Sequence, residues 1–175
     1  MKTFTKIIAT SAAVVALFFA TNASAQSQKL GIGLSVGLPT SSDTHSFAIG
    51  GDLRYQFDVD KQLSIPVTAG YTHSIGKDTG IAGVKFADYG YIPVKAGVKY
   101  FFNESGAGVY GLAELGASIG VSPSGVGTGF LYSPSVGYAW SNGIDLGLRY
   151  EGNTTKFFDK SLSQVALRIA YGFKL

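Results

Sequence analysis

Residues 162–175 read Leu162-Ser163-Gln164-Val165-Ala166-Leu167-Arg168-Ile169-Ala170-Tyr171-Gly172-Phe173-Lys174-Leu175. From Val165 onward every second residue is apolar, whereas the residues between them are small, polar or charged. Because successive side chains of a strand point to opposite faces, this alternation predicts a strand with one oily face and one wet face. The backbone groups on its two edges require partners, so neighbouring strands must exist.

The same alternation occurs in seven earlier stretches, and every charged residue within them falls on the small, polar face. Tight or longer turn-rich segments separate the stretches. The pattern predicts an all-β fold, an eight-stranded antiparallel up-and-down barrel. The eight stretches cover residues 29–38, 46–57, 62–72, 91–101, 108–121, 130–140, 144–151 and 162–175.

The bulky face of each stretch is expected to contact lipid. A soluble ligand-holding barrel has an apolar interior and a polar exterior, whereas the small residues of this chain fit a narrow lumen and its bulky ones fit a membrane. A span of about ten residues matches the length that a tilted strand needs to cross the hydrocarbon layer. Only a closed barrel then satisfies every backbone group.

The connections alternate in length, which predicts the orientation. Residues 58–61, 103–106 and 141–143 form tight turns, whereas the other four connections, around 39–45, 75–90, 122–129 and 152–161, are longer. In membrane barrels short turns face the periplasm and long loops face outside.

Aromatic residues concentrate at the predicted strand ends, where ring side chains favour the membrane interfaces. Two girdles are therefore predicted. Their members are Tyr55, Phe57, Tyr71, Tyr100, Phe130, Tyr132, Tyr138, Trp140, Tyr150, Tyr171 and Phe173.

The beginning of the chain has the pattern of a cleaved signal peptide. Lys2 and Lys6 precede an apolar run, and Ala23-Ser24-Ala25 provides small residues for cleavage after Ala25. The predicted domains are thus a signal peptide over 1–25 and a barrel over 26–175. Without the two lysines the basic and acidic residues nearly balance, which argues against nucleic acid as a partner. The chain has no Cys, so no disulfide framework is expected.

The segment Tyr91-Ile92-Pro93-Val94-Lys95-Ala96-Gly97-Val98-Lys99-Tyr100-Phe101-Phe102 resembles the outer membrane protein beta-barrel domain family, which contains OmpX and the transmembrane domain of OmpA. The resemblance covers residues 26–175. It implies a monomeric porin-like or OmpX-like protein of a Gram-negative outer membrane, in contact with lipid and lipopolysaccharide, with a structural or surface-interaction role and no cofactor. It also implies recognition of the last strand by the barrel assembly machinery. Such proteins commonly end in an aromatic residue, whereas this chain ends in Leu175.

Charged residues on the inward face are the most informative polar residues. Registers that keep the inward faces of neighbouring strands aligned can place Lys95 opposite Glu114 and Asp145 beside Arg168. An eight-stranded barrel has room only for side chains, so these charges are expected to pair and plug the lumen, with a narrow or gated pore as the alternative. The predicted lumen network comprises Asp52, Arg54, Lys95, Lys99, Glu114, Asp145, Arg149, Glu151 and Arg168.

A lipid A-modifying enzyme is the further alternative, because small outer-membrane barrels include deacylases and acyltransferases. Such an enzyme needs a nucleophile and a base near the outer leaflet. His73-Ser74 lies near such a position, but the segment lacks the His-x-Ser-Asn pattern of lipid A deacylases. No catalytic or metal site is therefore predicted. The neighbouring connections also contain Asp43, His45, Ser46 and Asp78.

Overall fold

The computed structural model describes residues 28–40, 44–80, 84–157 and 160–175. The predicted signal peptide, its cleavage site and Asp43 lie outside these residues. Within the described ranges, no helix has the length and apolar character needed to cross a membrane.

Eight long antiparallel strands close into a barrel in the order β1-β10-β7-β6-β5-β4-β3-β2. The prediction of an all-β, eight-stranded up-and-down barrel is confirmed. A further pair of two-residue strands, β8 and β9, lies within the connection before β10. The strands are β1 Gln28–Pro39, β2 His45–Asp58, β3 Leu63–Gly76, β4 Tyr89–Phe101, β5 Gly108–Ser122, β6 Thr128–Ala139, β7 Ile144–Asn153, β8 Lys156–Phe157, β9 Lys160–Ser161 and β10 Gln164–Lys174.

The last strand closes the barrel against the first, as its unpaired edge requires. Leu30 pairs with Phe173 and Leu38 pairs with Val165, in one uninterrupted antiparallel register. On its other edge β10 pairs with β7. Both edges of β10 are thus satisfied, and the seam between β1 and β10 completes the cylinder.

The connections form two distinct ends of the barrel. Residues 59–62, 102–107 and 140–143 are short turns at one end, which we call the turn end. Residues 40–44, 77–88, 123–127 and 154–163 connect strands at the opposite end, which we call the loop end. The β3–β4 connection is shorter than predicted because β3 continues to Gly76 and β4 begins at Tyr89.

The two faces of the wall have opposite character. Apolar side chains such as Leu34 and Ile169 point outward and are 64% and 57% exposed. The inward face holds buried polar residues, including Lys95 and Glu114. This arrangement is the reverse of a soluble protein, whose charged residues are almost never fully buried.

Two apolar clusters occupy the interior near the ends. Tyr89, Tyr91, Leu131 and Leu162 pack together at the loop end. Phe101, Tyr110 and Leu112 pack together nearer the turn end. Lys95, Glu114 and Glu151 therefore lie between these two clusters.

Candidate functional site

All nine residues of the predicted lumen network lie on the inward face and are buried. Five are cations and four are carboxylates, so the lumen holds one more positive than negative charge. Their elements are β2 for Asp52 and Arg54, β4 for Lys95 and Lys99, β5 for Glu114, β7 for Asp145, Arg149 and Glu151, and β10 for Arg168.

Glu151 is the centre of the network towards the loop end. Lys95 Nζ donates to its Oε2 at 2.7 Å, and the Tyr91 hydroxyl donates to its Oε1 at 2.5 Å. Gln164 Nε2 donates to the same Oε1 at 3.3 Å and to the Tyr91 hydroxyl oxygen at 3.0 Å. Three side chains from two other strands, β4 and β10, thereby converge on one carboxylate, with good geometry for charge-assisted hydrogen bonds.

Glu114 continues the network towards the middle of the barrel. The Thr68 hydroxyl donates to its Oε1 at 2.6 Å, and Arg54 Nη2 lies 3.3 Å from its Oε2. Lys95 Nζ lies 3.6 Å from that oxygen. Lys95 therefore links Glu114 and Glu151, so breaking one pair would disturb both carboxylates.

Asp145 collects cations towards the turn end. Lys99 Nζ donates to its Oδ2 at 2.7 Å, and the Tyr110 hydroxyl donates to its Oδ1 at 2.7 Å. The ammonium of Lys99 also lies 3.9 Å from the centre of the Tyr110 ring and 4.9 Å from that of Phe101. The aromatic cluster thus stabilises Lys99 by cation–π contact as well as by packing.

Arg168 and Asp52 form a clasp over β1. Arg168 Nη2 donates to Asp52 Oδ1 at 2.5 Å and Arg168 Nε donates to Oδ2 at 2.9 Å. The two residues belong to β10 and β2, the two neighbours of β1. Gly33 of β1 leaves the room between them, because an added Cβ would lie 2.5 Å from Arg168 Nη2. The ion pair therefore joins three strands at the seam.

Arg149 is held more loosely than the other lumen cations. Its Nη2 donates to the Ser35 hydroxyl at 3.1 Å, but its carboxylate neighbours Asp52 and Glu151 lie at 3.8 and 3.9 Å. Among the described residues, no acceptor makes a hydrogen bond to its Nε. Arg149 thus accounts for the excess positive charge of the lumen.

The strand registers differ by two residues from those predicted, although both predicted ion pairs lie within 4 Å, at 3.6 Å for Lys95 and Glu114 and at 3.8 Å for Arg168 and Asp145. Lys95 is paired with Gly116 and Asp145 with Ala170, so neither Glu114 nor Arg168 lies directly opposite. The Arg168–Asp145 distance is 3.8 Å, longer than the contacts of Arg168 with Asp52. Because the interior is narrow, long side chains reach carboxylates on strands that are not their neighbours. Lys95 is closer to Glu151 than to Glu114, and Arg168 is closer to Asp52 than to Asp145.

Five uncharged residues complete the network and were absent from the predicted set: Ser35, Thr68, Tyr91, Tyr110 and Gln164. The inward position of Tyr110 follows from its even spacing with Glu114, and that of Tyr91 from its even spacing with Lys95. A buried aromatic hydroxyl needs a hydrogen-bond partner, so an inward Tyr beside carboxylates is the signal that identifies them.

A cavity of about 810 Å³ opens at the turn end, which we call the vestibule. The three short turns form its rim, and side chains of the lumen network form its floor. Its lining has six cations and three carboxylates. They are Lys29, Arg54, Lys61, Lys99, Arg168 and Lys174, with Asp58, Asp60 and Asp145.

The predicted girdle residues all lie on the outward face, exposed or half-buried. At the turn end, rings two residues apart pack edge-on or tilted at or just beyond the ends of four strands. At the loop end, Tyr132 lies 5.9 Å from Tyr150. The turn-end pairs are Tyr55 with Phe57, Tyr100 with Phe102, Tyr138 with Trp140, and Tyr171 with Phe173.

The residues of the enzyme alternative do not converge. His73 faces outward, half-buried, whereas Ser74 faces the lumen and is buried. His45 is buried at the start of β2, 2.9 Å from the Thr44 hydroxyl, and Asp78 pairs with Lys85 in the β3–β4 connection. Because His73 and Ser74 lie on opposite faces of the barrel wall, the imidazole cannot activate this hydroxyl as a nucleophile. Across the described ranges, no three His, Cys, Asp or Glu side chains group so as to hold a metal ion.

Asp88 fastens the β3–β4 connection to the end of β3. Its Oδ1 accepts the Gly76 backbone N–H at 2.9 Å, and its Oδ2 lies 3.2 Å from His73 Nε2. The Gly76 hydrogen bond, and then His73, lower the pKa of Asp88 below its usual value.

The hydrogen bond from Gly76 to Asp88 should be present at neutral pH, where the carboxylate is ionised. It should be lost on strong acidification, because the stability that a lowered carboxylate pKa contributes disappears as the pH falls through that pKa. The Gly76 amide proton should therefore titrate with a midpoint below the ordinary Asp value of about 3.9. NMR of the protein in micelles measures this shift. Asp88→Asn should abolish the titration, and an unchanged curve in that variant would contradict the assignment.

Comparison with known proteins agrees with this architecture. The family model described as outer membrane protein beta-barrel domain matches residues 10–174. No curated protein matches the chain. Among solved structures, the chain is similar to Ail of Yersinia pestis in a phospholipid nanodisc, with a TM-score of 0.56, 19% identity, and coverage of 85% of this chain and 100% of that one.

Two further structures have the same fold. The N-terminal barrel of Pseudomonas aeruginosa OprF matches with a TM-score of 0.53 and 12% identity, covering 83% of this chain and 97% of that one. A de novo designed transmembrane β-barrel matches with a TM-score of 0.52 and 18% identity, covering 83% and 95%. At such identities these likenesses concern the fold alone.

Proposed function

The chain belongs to the outer membrane protein beta-barrel domain family, and on that premise we propose that it is a non-enzymatic outer-membrane barrel whose lumen is plugged. Its role is structural or surface-interacting: the barrel anchors in the membrane and presents the loop end outside. The observation that carries this proposal is the buried network running from Glu151 through Lys95 and Glu114 to Arg54.

The plug follows from the size of the barrel and the direction of these side chains. Eight strands enclose an interior just wide enough for side chains. Glu114 and Glu151 are 1% and 0% exposed, so the space around them is filled. The cluster of Tyr89, Tyr91, Leu131 and Leu162 adds apolar bulk between this layer and the loops. A hydrated ion has no open route past both layers.

Planar-bilayer recording of the purified protein tests the plug. We expect no steady current at moderate voltage, because passage requires opening several buried ion pairs at once. A protein-free detergent sample is the control for leakage. Steady currents from the unaltered protein would contradict the plug and favour the second candidate, a narrow pore.

A gated pore is the second candidate because the vestibule already opens part of the route. It extends from the turn-end rim to Arg54, Lys99 and Arg168. The layer of Glu114, Lys95 and Glu151 lies between the vestibule and the loop-end cluster. Brief voltage-dependent openings, separated by a closed baseline, would support gating over a permanent plug.

The lipid-facing surface gives a separate prediction. Leu167 lies near the middle of β10, pointing outward between Val36 and Leu148 of the neighbouring strands. Leu167→Arg should lower the free energy of unfolding by about 2–4 kcal/mol, because a cation at the bilayer midplane is costly. Urea unfolding in lipid vesicles measures the change.

Leu38→Arg is the matched control, since Leu38 is equally outward but lies at the loop end of β1. Its cost should be only about 0–1 kcal/mol, as for a cation near the interface. Equal effects of the two substitutions would argue against a membrane around the middle of the barrel. Fractionation of cell envelopes, with a gel before and after boiling, places the unaltered protein independently.

A further inference from the structure

We propose that the vestibule is a binding site for a small multivalent oxyanion, of the pyrophosphate type. The site goes beyond the plugging role of the lumen. Only the side of the membrane it faces, the periplasm, rests on the proposed function. The inference starts from the charge of the lining, with twice as many cations as carboxylates around about 810 Å³ of space.

The carboxylates of the lining are already engaged. Asp145 accepts from Lys99 and Tyr110 at 2.7 Å each. Asp60 accepts the backbone N–H groups of Gln62 and Leu63, also at 2.7 Å. Both carboxylates keep their charge, but each is fixed on partners of its own.

Asp58 is also engaged, since Lys29 Nζ lies 2.9 Å from its Oδ2. In contrast, Lys61 and Lys174 are exposed at the rim, and no ion pair among the described residues includes either of them. Two cations of the vestibule therefore remain available to an anion. Low-dielectric walls around such a mouth concentrate the positive potential inside it.

The space in the vestibule is not required by the packing of the protein. Gly31 and Gly172 are paired across the seam and both line the cavity. A Cβ added at Gly31 would meet its nearest atoms at 3.6 Å, and one at Gly172 at 3.7 Å, which are ordinary contacts. Gly33, by contrast, must lack a side chain because Arg168 fills its place. The wall at Gly31 and Gly172 thus leaves a volume that no protein atom uses.

The size and shape suit a small ligand. A volume of about 810 Å³ lies within the range of roughly 300–1,000 Å³ common for ligand pockets. The floor presents the guanidinium of Arg168 and the ammonium of Lys99, which also pair with Asp52 and Asp145, and the rim presents the exposed Lys61 and Lys174. Cations above and below the same space favour an anion with more than one charged group over a monovalent ion.

Titration calorimetry of the intact protein in detergent, with sodium pyrophosphate as the probe and chloride in excess, tests the site. We expect saturable binding with one ligand per barrel. Gly31→Glu places a carboxylate in the cavity, whereas Gly31→Gln places a neutral side chain of the same size there. The Glu variant should bind at least about tenfold more weakly than the Gln variant, since two charges at close range interact strongly even when partly screened.

Lys61→Gln keeps the test valid if a Gly31 variant fails to fold, which a gel before and after boiling reveals. It should weaken binding several-fold. Lys85→Gln is its matched control, because Lys85 is an exposed cation at the loop end. No saturable heat, or equal weakening by Lys61→Gln and Lys85→Gln, would overturn the site. Neither result would change the conductance or the membrane location of the protein. Planar-bilayer recording and fractionation therefore test the proposed function independently of this site.

Discussion

Glu151→Ala should lower the free energy of unfolding by roughly 3–5 kcal/mol, because it removes one partner of a buried charge pair. The carboxylate is fully buried and accepts hydrogen bonds from Lys95, Tyr91 and Gln164. Among the described residues, the ion pair left to Lys95 is the one with Glu114, at 3.6 Å. Arg149, already loosely held, loses one of its two carboxylate neighbours. Urea unfolding in lipid vesicles, followed by the fluorescence of Trp140, measures the loss.

Ser133→Ala is the matched control for this substitution. Ser133 is also inward and fully buried, but within the described part of the chain its hydroxyl has no hydrogen-bond partner. Its removal should leave stability nearly unchanged or slightly raised, because the desolvation of an unpaired hydroxyl is unfavourable. A loss below about 1 kcal/mol for Glu151→Ala would mean that water replaces the carboxylate and that the lumen is not tightly filled.

Asp52→Ala should have an effect of similar size, about 3–5 kcal/mol, because it leaves the Arg168 guanidinium buried without its bidentate partner. The remaining carboxylate near Arg168 is Asp145, at 3.8 Å. Since the pair joins β2 and β10 over β1, the seam should open at a lower urea concentration. Amide hydrogen exchange of β1 measures this local loss.

The double variant Asp52→Leu with Arg168→Met separates two effects of Asp52→Ala: the unpaired charge left on Arg168 and the lost contact between β2 and β10. Replacing a whole buried ion pair by apolar residues of similar volume is often neutral or stabilising, so most of the loss should be recovered. Lys29→Gln breaks the rim pair with Asp58 and should cost roughly 1 kcal/mol or less, as for a partly exposed bridge. A double variant as unstable as Asp52→Ala would show that Arg168 has a role beyond pairing.

Much of the barrel was predictable from the alternation of side chains, because the period of a strand is two and each inward or outward assignment fixes the next. Leu167 and Arg168 show the principle: one step along β10 moves from the lipid face to the lumen. The strand count and the closure of β10 on β1 follow from the same period and from the need to pair every edge.

The partners of the charges were not predictable in the same way. Face assignment is local, whereas pairing depends on the distance across the lumen, which no sequence pattern contains. Lys95 lies nearer to Glu151, on β7, than to Glu114 on the adjacent strand. The two-residue strands β8 and β9 also gave no signal, since each is too short to show a period.

Dissolved salt weakens an electrostatic attraction only where mobile ions can approach it, within a Debye length of roughly 8 Å at physiological ionic strength. The Lys95–Glu151 pair has side chains that are 0% exposed, and Tyr91 lies against it on the side of the loops. The Lys29–Asp58 pair borders the open vestibule instead. The contribution of the Lys95–Glu151 ion pair to stability should therefore be nearly independent of salt concentration. The contribution of the Lys29–Asp58 ion pair at the rim should fall as the salt concentration rises.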